Sequence, residues 1–313
     1  MTRPVLRIGT RASPLALRQV EIVRAALVAA HPDLAEPGAV DVVPIRTTGD
    51  RIQDRTLAEA GGKGLFTKEI EEALAAGAVD LAVHSAKDMQ TWLPKGLVLG
   101  AVLPREDPRD ALLSNAGARN LAALPPGAVL GTASLRRQAQ ALMRRPDLKV
   151  VPFRGNVETR LRKLSEGMAD ATLLAVAGLK RLGHAERLDA VLEPEEMLPA
   201  VGQGTLAVEF RAGDERMAAL LAPLNHVPTA GCLAAERALL AALDGSCRTP
   251  IAALAEPSGP DGLRLRALLA LPDGSQAHQD AGSASMSDAA ALGNELGRRL
   301  LAVAGPEFLR GLR

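Results

Sequence analysis

An acid and a base stand side by side at the end of a short apolar run in residues 80–88, which read D-L-A-V-H-S-A-K-D. Residues 81–83 have the length and flanks of a buried strand, and polar residues follow at once. In an open α/β sheet, ligands bind just beyond the carboxyl ends of the strands. Lys87 and Asp88 therefore form a candidate site, and the alternative is a solvated strand end with a structural ion pair.

Basic residues gather in one part of a chain whose overall charge is close to zero. Residues 130–181 carry eleven lysines and arginines against four acids, whereas the whole chain has a net charge of +1. Five arginines fall at inferred strand ends or on first helical turns, as do Thr132 and Ser134: Arg11, Arg136, Arg137, Arg154 and Arg181. Guanidinium groups beside helix N-termini form a receptor for anions. The pattern favours a ligand with several carboxylates or phosphates over ordinary surface charge.

The two cysteines have different surroundings. Cys232 lies among alanines and leucines on an amphipathic helical stretch, which predicts a small core residue. Cys247 lies in a polar loop between Gly245 and Arg248, where partial exposure and the neighbouring cation favour the thiolate. Cys247 is thus predicted to be reactive, although a thiol alone does not define a reaction. Neither the cysteines nor the histidines show the spacing of a metal site, and His84 is predicted to be a buried, hydrogen-bonded structural residue.

The composition indicates a soluble, globular, cytoplasmic protein of two or three domains. The chain has 313 residues, of which 47% are hydrophobic and 23% are charged. The N-terminus lacks the apolar core of a secretory signal, and two cysteines without a signal indicate a reducing compartment. Aromatic residues make up only 2%, and the net charge gives no signal for nucleic acid or membrane.

Strand and helix patterns alternate twice in the first two thirds of the chain. Strands are predicted at 5–8, 41–45 and 80–84, and the alternation begins again at 129–131, 149–153 and 171–176. This order is typical of parallel, doubly wound sheets. A strand at 206–209 could return to the first sheet after P-A-V-G-Q-G, which is predicted to be a hinge. Residues 47–64 are predicted to form a mobile loop.

The last part of the chain has a different pattern. A helix at 229–243, strands at 251–255 and 263–271 with a P-D-G turn, and a terminal helix around 288–303 predict a small α+β domain with an antiparallel sheet. The fold class is therefore α/β, with two doubly wound domains and this smaller third one. We assign residues 1–104 and 200–222 to the first domain, 105–199 to the second and 223–313 to the third.

An ordered set of motifs resembles the hydroxymethylbilane synthase family, also called porphobilinogen deaminase. The resemblance runs from residue 6 to at least residue 250. The matching segments include R-I-G-T-R-A-S-P-L-A-L, G-G-K-G-L-F, H-S-A-K-D, R-E-D-P-R-D-A, G-T-A-S-L-R-R, R-G-N-V-E-T-R-L and L-P-A-V-G-Q-G, together with the loop at Cys247. Each motif is moderately specific, and their order makes the set highly specific.

The resemblance implies that four porphobilinogen molecules are joined head to tail into hydroxymethylbilane with release of ammonia. It also implies a dipyrromethane cofactor, linked through a thioether to Cys247 and retained as a primer. Asp88 matches the catalytic aspartate, which would act on the departing amine. By the same resemblance, the first two domains look like type II periplasmic binding proteins with a cleft between them.

The resemblance also assigns contacts to the basic residues. Positions that match cofactor contacts are Lys87, Ser134, Arg136 and Arg137. Positions that match contacts to substrate or the growing chain are Arg11, Ser13, Lys63, Thr132, Arg154, Arg160 and Arg181. The sequence departs from the family at Glu59, where some relatives have a lysine, at Ala86 and at Met89-Gln90, where relatives usually have an apolar residue and proline.

Two other functions remain possible for such a chain. A non-catalytic, two-lobed anion-binding protein would share the fold, but would leave Cys247 unexplained. A regulator with a ligand-sensing domain would need a nucleic-acid-binding element, and no helix-turn-helix pattern or basic N-terminal region is found. The expected partners are porphobilinogen and the growing polypyrrole chain, without nucleic acid or membrane, and the protein is expected to be a monomer.

Overall fold

The computed structural model describes residues 5–51, 64–188, 190–245 and 249–312. These residues divide into two compact units. The first unit comprises residues 5–51, 64–105 and 205–230, and the second comprises residues 106–188, 190–204, 231–245 and 249–312. The predicted division into three domains, with its residue bounds, stays a prediction.

The helices and strands follow one another in three groups. Up to residue 105 they are β1 (Leu6–Arg11), α1 (Pro14–Ala30), β2 (Val40–Ile45), α2 (Thr48–Arg51), α3 (Lys68–Ala75), β3 (Leu81–Ser85) and β4 (Leu97–Val102). Residues 106–204 contain β5 (Asp110–Ser114), β6 (Val129–Gly131), α4 (Leu135–Arg144), β7 (Lys149–Val151), α5 (Val157–Ser165), β8 (Ala171–Ala175), α6 (Val176–Arg181) and β9 (Val191–Leu192). The rest contains β10 (Leu206–Arg211), α7 (Glu215–Leu221), α8 (Val227–Ala242), β11 (Ile251–Ser258), β12 (Gly262–Ala270), β13 (Ala277–Ser285) and α9 (Ala289–Gly311).

The sheet of the first unit has the strand order β2-β1-β3-β10-β4. β1 pairs in parallel with β2 and β3, whereas β10 runs antiparallel to both β3 and β4. The predicted return of a strand near residue 206 to the first sheet is thereby confirmed. Leu6 and Ile8 of β1 are fully buried against Val20, Val23 and Leu27 of α1.

The larger sheet of the second unit repeats this arrangement in the order β7-β6-β8-β5-β9. β6 pairs in parallel with β7 and β8, and β5 runs antiparallel to β8 and β9. The prediction of two doubly wound sheets is confirmed, and each sheet also contains one strand that runs antiparallel to its neighbours. In each sheet the antiparallel strand lies outside the β-α-β-α-β run in sequence, so no crossover helix forces it to be parallel.

The second unit also contains a three-stranded antiparallel sheet in the order β11-β12-β13. It packs with α8 and α9 around a core that includes Leu239, Leu265 and Leu296. Gly293 of α9 lies so close to α8 that a Cβ there would collide with the carbonyl oxygen of Ala235. The predicted small α+β part is confirmed, and α9 is broken by non-helical backbone at Gly305, followed by Pro306.

Among the described residues, no single helix combines the length and hydropathy needed to cross a membrane. The segments Glu215–Leu224 and Val227–Ala242 meet that test only together, across a bend of 107°.

Candidate functional site

The carboxyl ends of β1, β2 and β3 lie at one edge of the first sheet, because the three strands are parallel. Arg11 is the last residue of β1. Asp50 lies in the short helix that follows β2, and Asp88 ends the single 3-10 turn that follows β3. The sequence placed Arg11 and Asp88 at strand ends, and the fold brings them together.

Arg11 links the two carboxylates at this edge. Its Nη1 lies 3.5 Å from Oδ2 of Asp88, and its Nη2 donates to Oδ1 of Asp50. The guanidinium carbon also lies 4.3 Å from the centroid of the Phe66 ring, a cation–π distance. Burial would raise the pKa of Asp50, but the hydrogen bond and charge of Arg11 outweigh it and lower the pKa. The guanidinium group of Arg11 therefore contacts the carboxylates of both Asp50 and Asp88 in the absence of a ligand.

The carboxylate of Asp88 can be reached from solvent, since 29% of its side chain is exposed. Its contact with Arg11 is at the outer limit of hydrogen-bond distance. A carboxylate that is oriented but not saturated by its neighbours can still accept hydrogen bonds from a ligand.

The other predicted residues of the first unit have mixed outcomes. Lys87 is half-buried in the turn that carries Asp88. Ser13 caps α1, where its Oγ accepts from the amide of Ala16 at 3.3 Å. Lys63 lies outside the described residues, as does Glu59.

His84 has the structural role that the sequence predicted. It is buried in β3, and its Nε2 lies 3.1 Å from Oε2 of Glu209, which is itself fully buried in β10. Both residues belong to paired strands of the first sheet, and Asp88 lies in the turn that follows one of these strands.

The carboxyl ends of β6, β7 and β8 form the corresponding edge in the second unit. Ser134 caps α4 after β6 by accepting from the amide of Arg137, and Asn156 caps α5 after β7. The N-termini of α4 and α5, with the guanidinium group of Arg154, provide donors and positive charge for an anion. The prediction that Arg181 lies at a strand end or on a first helical turn is wrong, because Arg181 is in the last turn of α6.

Arg136 and Arg137 are buried and share one carboxylate. Nη2 of each donates to a different oxygen of Asp110, at 2.7 Å in both cases. Each Nη1 donates to a main-chain carbonyl, that of Leu198 for Arg136 and that of Leu173 for Arg137. Burial would raise the pKa of Asp110, but the charges of both arginines lower it far below its usual range.

The Asp110 cluster keeps an excess of positive charge and two unused donors. Two guanidinium groups face one carboxylate, and Nε of each arginine is buried without a hydrogen-bond partner in the described part of the chain. A buried donor left unpaired is costly, so a ligand that brings acceptors would relieve that cost. The donor set therefore fits a group that carries carboxylates, such as a dipyrromethane.

The remaining predicted contacts of the second unit make bonds within that unit. Thr132 is buried, and its Oγ1 accepts from the amide of Ser134 at 3.2 Å. Nε of Arg160 donates to the carbonyl of Gly155 at 2.9 Å. Nη2 of Arg181 donates to the carbonyl of Gly204 at 2.6 Å, and burial lowers the pKa of Arg181 to about 10.

The structure describes one of the two cysteines. Cys232 is buried on α8, as predicted for a core residue. Cys247 lies outside the described residues, so its predicted exposure and reactivity stay predictions. Within the described ranges, no group of three His, Cys, Asp or Glu side chains is arranged to hold a metal ion.

Two residues that shape the arginine cluster were missed as individual positions. Asp110 belongs to the R-E-D-P-R-D-A motif but carried no assigned role. Gln203 belongs to P-A-V-G-Q-G, which was predicted to be a hinge, and its Nε2 donates to Oδ1 of Asp110 at 2.9 Å and to the carbonyl of Pro108 at 2.7 Å. The single signal for Asp110 was its place in the motif.

The fold and the site define a protein with two α/β sheets of matching strand order, one with a partly exposed acid at its edge and one with a buried basic cluster. Residues 6–219 match the family model described as "Porphobilinogen deaminase, dipyromethane cofactor binding domain", and residues 230–302 match "Porphobilinogen deaminase, C-terminal domain". The chain belongs to the porphobilinogen deaminase family.

Full-length relatives carry the same name. The chain is 52% identical over 311 residues to a chloroplastic porphobilinogen deaminase of Oryza sativa subsp. japonica, covering 99% of this chain and 87% of the relative. It is also 52% identical over 307 residues to that of Pisum sativum, covering 97% and 83%. A solved structure, the periplasmic VFT2 domain of BvgS from Bordetella pertussis, is similar with a TM-score of 0.42 and 14% identity, covering 71% of this chain and 86% of that one.

Proposed function

We propose that the chain joins four porphobilinogen molecules head to tail into linear hydroxymethylbilane, with release of four ammonia molecules and addition of one water that supplies the hydroxyl group, in tetrapyrrole biosynthesis. Membership of the porphobilinogen deaminase family over nearly the whole chain supports this reaction. The observation that carries the proposal within the molecule is the half-exposed carboxylate of Asp88 beside Arg11, at the edge of the first sheet where ligands bind.

Asp88 is the proposed catalytic acid-base residue. Each addition breaks the bond between the aminomethyl carbon and nitrogen of porphobilinogen, and the electron pair leaves with ammonia. A new carbon–carbon bond then forms at the free α carbon of the pyrrole chain, which loses a proton. A carboxylate at Asp88 would hydrogen-bond the departing ammonium group and stabilise the cation that remains.

Most residues proposed to bind the cofactor and the growing chain belong to the second unit, and Lys87, Arg11 and Ser13 belong to the first. Bound dipyrromethane supplies the primer to which the first porphobilinogen is joined. The residues proposed to bind its carboxylates are Lys87, Ser134, Arg136 and Arg137, and Cys247 is its proposed thioether attachment. Nε of Arg136 and Nε of Arg137 have no hydrogen-bond partner among the described residues, which supports that role.

Further cations would bind the carboxylates that each added ring brings. The proposed residues are Arg11, Ser13, Lys63, Thr132, Arg154, Arg160 and Arg181. Four of these residues belong to the second unit, where they follow a strand at the same edge of the sheet or lie on the helix after such a strand. This placement supports one binding surface for a polycarboxylate. Since guanidinium groups stay protonated at neutral pH, this surface would remain positive during turnover.

We also propose that the protein is a monomer, that it is cytoplasmic and that it has no nucleic-acid or membrane partner. The net charge of +1 gives no signal for a nucleic-acid or membrane partner. Light scattering on a size-exclusion column should give a mass near 33 kDa, and a mass twice as large would contradict the monomer.

Intact-protein mass spectrometry tests the proposed cofactor together with porphobilinogen consumption. The wild-type mass should exceed the sequence mass by two linked pyrrole units. Cys247→Ser should lose this excess and the activity, whereas Cys232→Ser, a change of the buried cysteine on α8, should keep both. An active wild-type protein of unmodified mass would rule out the covalent primer, and a loaded Cys247→Ser protein would rule out the attachment site.

A further inference from the structure

The segment that follows Asp88 has little regular structure of its own. A 3-10 turn covers Ala86–Asp88, and the amide of Met89 closes it by donating to the carbonyl of Ala86 at 3.3 Å. From Met89 to the start of β4 at Leu97 there is neither helix nor strand. The direction of the Asp88 carboxylate therefore depends on how the residues beside it are anchored.

Gln90 anchors this segment to α3. Its Nε2 donates to Oε2 of Glu71 at 2.8 Å, and only 3% of Glu71 is exposed. Gly64 lies against the same amide, since a Cβ on Gly64 would come within 2.6 Å of Nε2 of Gln90. The positive φ of 74° at Gly64 disfavours any side chain there as well. The amide of Gln90 is thus held between a helix and a glycine turn.

Glu71 belongs to a buried polar group within the first unit. Burial raises the pKa of Glu71, and the charge of the neighbouring Glu209 adds to that effect. Glu209 in turn contacts His84, four positions before Asp88. Side chains on both sides of Asp88 in sequence, His84 before it and Gln90 after it, are therefore fixed to buried carboxyl groups.

We propose that Glu71 and Gln90 form a positioning pair that sets the direction of the Asp88 carboxylate toward porphobilinogen. This inference rests on the proposed function. Burying a carboxyl group is costly unless it is well bonded, and here the bond secures a residue two positions from the acid. Neither side chain is required to touch the substrate, because small displacements of a reacting group reduce turnover strongly.

Four variants test the pair: Gln90→Leu, Glu71→Ala, the double variant, and Glu71→Gln, whose amide oxygen can still accept from Gln90. Glu72→Gln is the matched control, because Glu72 is the next residue of α3 and its side chain is 65% exposed. We expect Gln90→Leu and Glu71→Ala to lower kcat about 10-fold to 100-fold, with KM changed less than about twofold. The double variant should lose no more than the worse single one, and Glu71→Gln should recover most of kcat.

Two further measurements separate positioning from folding and from cofactor loading. The intact mass should keep the linked pyrrole units in Gln90→Leu. Trp92, the only tryptophan of the chain and 64% exposed, lies two positions after Gln90, and its fluorescence anisotropy should fall when the segment is released. If Glu71→Ala fails to fold, Gln90→Leu still tests the positioning pair, because Gln90 is only half-buried.

A folded, loaded Gln90→Leu protein with wild-type kcat would overturn the positioning pair, as would single effects that multiply in the double variant. A wild-type protein that does not consume porphobilinogen would instead refute the proposed function. The two failures are therefore distinguishable.

Discussion

Oδ1 of Asp110 accepts a hydrogen bond from Nη2 of Arg137 at 2.7 Å, at a place where both side chains are buried. Arg136 occupies the other oxygen at the same distance, so one carboxylate orients two neighbouring guanidinium groups on the first turn of α4. Gln203 adds a third donor to this carboxylate. Asp110 is therefore the centre of the cluster that is proposed to receive the cofactor's carboxylates.

Asp110→Ala should destabilise the second unit strongly. It leaves two buried guanidinium groups without their counter-charge, and breaking a buried pair in this way costs about 3–5 kcal/mol. Urea unfolding measures the loss. Glu166→Ala is the control, since Glu166 pairs with Arg162 on the exposed face of α5 and such a pair contributes only about 0.3–0.5 kcal/mol. Equal losses in the two variants would contradict a central role for Asp110.

Replacing Arg136 or Arg137 by leucine should block cofactor loading. Each change removes one of the two buried Nε donors and part of the positive charge that the cluster offers. The intact mass should then lack the two pyrrole units, while circular dichroism shows a folded chain. Arg162→Leu, which removes an exposed arginine of the same unit, should load normally. Full loading of both cluster variants would exclude these arginines as cofactor contacts.

Asp88→Asn should abolish most turnover while the protein stays folded. The amide keeps the size of the side chain but cannot carry the charge or the proton that the departing amine requires, and such groups contribute roughly 100-fold to 10,000-fold. Porphobilinogen consumption measures the loss, and thermal unfolding should be nearly unchanged because the side chain is partly exposed. Asp41→Asn, at an exposed position of β2, is the control. Activity of Asp88→Asn near that of wild type would remove Asp88 from the mechanism.

The strands of the first two sheets were largely predictable because they are short apolar runs between helical patterns. β13 was missed because its sequence, A-H-Q-D-A-G-S-A-S, has no apolar run. Pairing with β12 makes it a strand, so the decisive information lies in its partner and not in its own residues. β5 was missed for a related reason, since it is short and follows a proline-rich segment that resembles a loop.

The candidate site was predictable where function follows from position in a motif or at a strand end. Arg11, Asp88 and the arginines after β6 and β7 belong to this group, whereas Arg181 lies in the last turn of α6 and not at a strand end. Asp110 and Gln203 lie 93 positions apart and meet only in the fold, so no local pattern could reveal their contact. The same holds for Gln90 and Glu71, whose hydrogen bond gives a structural context to the departure from the family at Met89-Gln90.

Glu71 should make stability depend on pH in a direction opposite to that of most carboxyl groups. Burial raises the pKa of Glu71 in the folded protein, whereas the unfolded chain has the ordinary value of about 4.3. The folded state thus binds more protons between these two pKa values, so this residue lowers the free energy of unfolding as pH rises through that interval. Glu71→Gln removes the titration, so its free energy of unfolding should increase relative to that of wild type as pH rises above about 4.3, and the increase should level off above the raised pKa. Urea unfolding at successive pH values measures the difference.

Glu72→Gln, at the exposed position beside Glu71, should show no such trend. A constant difference between Glu71→Gln and wild type across the pH range would mean that Glu71 titrates normally in the folded protein.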